Sequence, residues 1–126
     1  MSAIVDAFNL VSSEDNPLGF NPDYVFNYFI PDKMPDGTPK EQVSVLVLLT
    51  DIQNIPGDYS SNVSHSVEGK VQIQIWYEFT DTSDYETLLR KYMEANGFYM
   101  YNSYTDKDPD IEKLYLTAKF NKNTFD

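Results

Sequence analysis

The chain has 126 residues, no cysteine, and 20 acidic against nine basic side chains, a net charge of −11. That is about one domain's length, enough to bury roughly two thirds of the unfolded surface without a disulfide or metal. The lack of cysteine excludes disulfide frameworks, thiolate nucleophiles and cysteine-held zinc. The acidity excludes general binding to nucleic acid or to anionic membrane surfaces.

From the N-terminus, Ile4, Ala7, Phe8 and Val11 recur at helical spacing behind a capping Ser2, predicting a helix over Ala3–Ser12. Ser12–Pro22 reads as a loop. Tyr24–Ile30 is aromatic and β-prone, with Pro31 as its stop. Pro31–Lys40 holds three prolines and a glycine and reads as a connection. Val43–Ile52 is apolar on both faces, the pattern of a strand covered on both sides. Ser66–Phe79 alternates Val71, Ile73, Ile75 and Tyr77 with Gln72, Gln74 and Trp76, and Gly69 marks a plausible bulge.

The second helix opens on a capping-box pattern, Ser83 with Glu86, and carries the stripe Tyr85, Leu88, Leu89, Tyr92 and Met93. Gly97 supplies its left-handed C-terminal cap. Phe98–Tyr104 and Ile111–Asn121 follow as two strands joined by the turn-forming Thr105–Asp110, a hairpin. The order is helix, three strands, helix, two strands. One α+β domain over residues 1–126 is expected, with two helices packed on a largely antiparallel sheet of about five strands.

The chemistry-bearing residues do not form a catalytic pattern. Asp106, Asp108 and Asp110 have the spacing of the start of a calcium loop, but Ile111 and Thr117 stand where its glycine and glutamate belong. His65 is the one histidine, and on an extended chain its neighbours Ser64 and Ser66 point to the side opposite it. The paired acids lie in polar loops or at a helix start, where solvation and the helix dipole account for them. With no phosphate-binding loop or zincin motif, a non-enzymatic protein without cofactor or metal is expected.

Ten tyrosines and eight phenylalanines instead suggest large contact surfaces that are half buried and half wet. Gln53–His65 is too long for a simple hairpin loop between two strong strands. Either it is an inconsequential tip or a flexible arm that orders on a partner. On the second reading Ile55, Asp58, Tyr59, Ser60 and Asn62 are contact residues. Trp76 joins them as a candidate interface residue, with cover by a helix or loop as the alternative. No apolar run approaches the ~20 residues of a membrane span, and Met1–Leu10 lacks the basic start of a signal peptide.

These features resemble a family encoded in tail-gene clusters of siphoviruses and prophages of Gram-positive bacteria. The resemblance rests on Ala7–Leu10, on Val25–Asp32 with its Asn-Tyr-x-Ile-Pro piece, on Gln72–Tyr77 and on the capped helix. The layout is also similar to phage tail terminator and tail-completion proteins, which form rings, commonly hexameric, that cap the tail tube and create the surface joining the head. The resemblance implies a homo-oligomeric structural subunit, made in the host cytoplasm and placed in the virion tail. Its partners would be itself and tail-tube or head-connector proteins. DNA would pass through the ring without specific binding, and no membrane would be involved. Two other readings stand beside it: a minor tail, neck or baseplate component, and a cytoplasmic assembly factor absent from the virion.

Overall fold

The computed structural model describes residues 3–13, 15–52 and 68–123. They form an α+β fold: α1 (Ala3–Val11), β1 (Val25–Asn27), β2 (Val45–Asp51), β3 (Glu68–Tyr77), α2 (Tyr85–Glu94), β4 (Phe98–Lys107) and β5 (Leu114–Asn123). Short 3-10 turns at Pro22–Tyr24 and Lys40–Gln42 precede β1 and β2. The sheet runs β1-β2-β3-β5-β4, with only the β1–β2 pair parallel.

The alternation read from β3 divides the sheet. Val71, Ile73 and Ile75 pair with Phe120, Ala118 and Leu116 of β5, and all six side chains are buried. Ile4, Ala7 and Val11 of α1 and Leu89 and Met93 of α2 belong to the same cluster, so both helices cover this one face. Burying each of the larger side chains, the Val, Ile, Leu, Met and Phe of this cluster, contributes about 1.5–3 kcal/mol. The helices are also tied directly, by the Tyr92 hydroxyl donating to the Leu10 carbonyl at 2.8 Å. Asn16, buried, pins the loop after α1 by donating to the Ser13 carbonyl at 2.6 Å and accepting from the Phe20 N–H at 3.1 Å.

Several local expectations are corrected. The expected Tyr24–Ile30 strand is limited to Val25–Asn27, because Tyr28 adopts φ 69°. Its N–H reaches the Leu49 carbonyl at 2.7 Å, and the chain leaves the sheet there. Gly69 is in regular register opposite Lys122, with no bulge at that point. Its missing side chain matters because a Cβ there would overlap the Ala3 Cβ, so α1 rests on the glycine. The bulge lies in β4 between Met100 and Asn102, which leaves Tyr101 as the extra residue.

The helix cap is also shifted. Asp84, not Ser83, caps α2 by accepting from the Thr87 N–H at 3.2 Å. Glu86 turns outward to accept from the Ser103 hydroxyl at 2.5 Å, so the expected capping box is not formed. Leu88 of the expected stripe stands 40% exposed. Gly97 does take the left-handed conformation, with φ 91°. β4 runs on to Lys107 and β5 begins only at Leu114, later than the expected Ile111, which moves the turn to residues 108–113.

Candidate protein interface

Trp76, a candidate contact residue, lies on the sheet face opposite the helices, and the described residues cover that face at one end. There the segment between β1 and β2 folds over it, burying Met34, Val43 and Leu46 with Tyr24, Phe26 and Ile30 alongside. Leu46 is why β2 reads as apolar on both faces: it fills this second cluster while Val47 and Leu49 fill the first.

Trp76 sits at the edge of this small cluster, partly buried. Its ring stacks on Tyr115 of β5, directly opposite in register, with centroids 5.7 Å apart. Its indole N–H donates to the Asp108 carboxylate at 2.8 Å. Burial pushes the Asp108 carboxyl up, but donation from the Asp110 N–H, the indole and the Ile111 N–H outweighs this, leaving it below the usual carboxylate range. The turn holding Asp108 is fixed at its far end as well. The Lys113 ammonium, itself buried, donates to Glu78 at 2.5 Å.

Between that turn and the β1–β2 segment lies a cleft of about 410 Å³. Ile30, Leu46, Trp76 and Ile111 give it an apolar floor. Asp32, Lys40, Glu41, Asp108 and Asp110 complete its lining: four carboxylates against one ammonium, a net charge of −3. Lys40 is already engaged with Asp32 at 3.7 Å.

Away from the cleft the same face carries exposed tyrosines of β4. Register places Tyr99 beside Asn121 and Tyr104 beside Thr117 on this side, and the Lys70 ammonium lies 5.8 Å from the centroid of the Tyr101 ring. The three tyrosines are 53%, 47% and 49% exposed. The bulge makes this possible. Strict alternation would send Tyr104 to the side opposite Tyr99 and Tyr101, and the extra residue reverses it. On its outer side β4 has no neighbouring strand among the described residues, so a ten-residue backbone edge is also unpaired.

At the other edge, Tyr28 and Phe29 are 60% and 70% exposed just past β1. A bulky residue with positive φ is uncommon, and such strain concentrates at functional positions. These aromatics escaped notice in the sequence because exposure depends on what the chain packs elsewhere. The Asn-Tyr-x-Ile-Pro piece was the available signal. It supplies both the displayed Tyr28 and the cleft residue Ile30.

Of the six candidate contact residues, Ile55, Asp58, Tyr59, Ser60 and Asn62 lie outside the described residues, as do His65 and the rest of the expected arm. Trp76 is placed, and it is covered in part by the β1–β2 segment, the alternative weighed above. Among the described residues no group of three His, Cys, Asp or Glu stands close enough to hold a metal. Nor is any helix there long and apolar enough to cross a membrane.

Fold and site together define an α+β protein with helices on one face of a five-stranded sheet and exposed aromatics on the other. The chain belongs to the family described as protein of unknown function (DUF806), whose sequence model matches residues 9–124. No curated protein matches it.

Proposed function

We propose that the chain is a non-enzymatic phage assembly protein, a tail terminator-like subunit whose copies form a ring, hexameric by resemblance. The ring caps the tail tube, stops its growth and presents the surface that joins the head. The observation that carries this reading is the contrast between the two sheet faces. One is sealed by both helices, while the other displays Tyr99, Tyr101 and Tyr104 beside a ten-residue edge that is unpaired among the described residues. Tyrosines of this kind anchor protein interfaces, where an apolar ring is covered and its hydroxyl stays wet. The net charge of −11 suits a ring through which DNA slides without adhering. The test is mass spectrometry of purified particles from the virus or induced prophage that encodes the chain. The reading expects the protein in the finished particle at a few copies per tail. Its absence there would leave it an assembly factor outside the virion.

A further inference from the structure

The cleft beneath Trp76 presents an apolar floor and a net charge of −3, so a complementary occupant is apolar and basic. Basic surface is scarce in this chain, with nine Lys and Arg in 126 residues. Most of the described lysines are committed: Lys40 to Asp32, Lys113 to Glu78, Lys122 to Asp6, and Lys70 and Lys107 over aromatic rings. Arg90 and Lys91 are the one pair of adjacent basic residues and include the only arginine. Both are exposed on α2, where they act on the capping Asp84 only through their charge. Leu88, 40% exposed and three residues before Lys91, adds the apolar part.

We propose that the cleft receives the Leu88–Lys91 surface of α2 from a second copy of this chain. The inference rests on the ring reading above and names the contact that builds it. The cleft and α2 lie on opposite faces of the sheet, so one copy cannot satisfy its own cleft. The two patches also differ, so the contact is heterologous: each copy offers its helix to one neighbour and its cleft to the other. Such a contact closes into a ring if the rotation permits and runs on as a filament if not. Glu41 and Asp110 face the incoming cations, and the aliphatic stems of Arg90 and Lys91 cover Ile111 and the indole. Being electrostatic at its rim, the contact weakens as salt rises.

Charge exchange tests it on the full chain. Light scattering at low salt follows wild type, R90E/K91E, E41K/D110K, their equimolar mixture and the combined fourfold variant. Circular dichroism confirms that each is folded, and emission from Trp76, the only tryptophan, reports on the cleft itself. Wild type is expected to exceed its 14.5 kDa protomer mass. Each double variant should associate at least tenfold more weakly, with Trp76 emission returning to that of dilute protein. The mixture and the fourfold variant should regain both signals, since each restores opposite charges across the contact. A strictly monomeric wild type, or association and Trp76 emission unchanged by either double variant, would overturn the proposal. The tail role would still stand or fall separately, on particles made without the protein.

Discussion

The Asp108 carboxylate accepts from the Trp76 indole through one oxygen and from the Asp110 and Ile111 amides through the other. That division of labour fixes the wall of the cleft, because it binds the β4–β5 turn to the middle of the sheet. Asparagine has a single acceptor oxygen, so Asp108→Asn must give up one side of it. A loss of about 1.5–3 kcal/mol is expected, the range for hydrogen bonds to a charged group, measured by urea denaturation at neutral pH.

The same variant has a defined pH dependence. The Asp108 carboxyl titrates lower in the folded protein than in the unfolded chain. Its contribution is therefore complete above the unfolded value of about 3.9 and disappears as pH falls through the lower folded value. The stability gap between wild type and Asp108→Asn should be constant from neutral pH to the upper end of that window and close below it. A gap that widens on acidification would show the sign to be wrong.

Gly69→Ala forces a methyl group into the Ala3 side chain and lifts the start of α1 from β3. Overpacking of this kind costs about 1–3 kcal/mol. Gly69→Ala combined with Ala3→Gly should recover part of the loss, less the helix penalty of glycine, and thermal melts of the three proteins measure the recovery.

Tyr28→Gly relieves a left-handed backbone that costs a non-glycine residue about 1–2 kcal/mol. Because Tyr28 is 60% exposed, little packing is lost with its ring. The variant should match or exceed wild-type stability in urea and, on the proposed ring reading, assemble less well, because it removes an exposed aromatic. Lower stability would mean that the ring supports the fold.

Tyr99, Tyr101 and Tyr104 replaced together by threonine keep β-propensity while removing the aromatic face. Replacing Tyr99 or Tyr104 should change stability by about 0.5 kcal/mol, and replacing Tyr101, which also loses the Lys70 contact, by up to about 1 kcal/mol. The protein should stay folded by circular dichroism and fail to enter particles.

How much of this was legible in the sequence follows the range of the interactions. The helix stripe of Tyr85, Leu89 and Met93, the Gly97 cap and the two-faced β2 were readable because their signals fall within a few residues. The α2 cap was missed by one residue because Ser83 and Asp84 are both good caps and only geometry chooses between them. The roles of Gly69 and Trp76 were hidden because their partners, Ala3 and Asp108, lie far along the chain. The tyrosine face was hidden by the bulge at Tyr101, which inverts an alternation that the sequence alone continues unbroken.

The most direct test of the central claim is electron microscopy of particles made without this chain. Loss of a terminator should leave tails that grow beyond normal length and carry no heads, with normal tails restored by the wild-type protein. Tails of normal length joined to heads in the absence of the protein would contradict it.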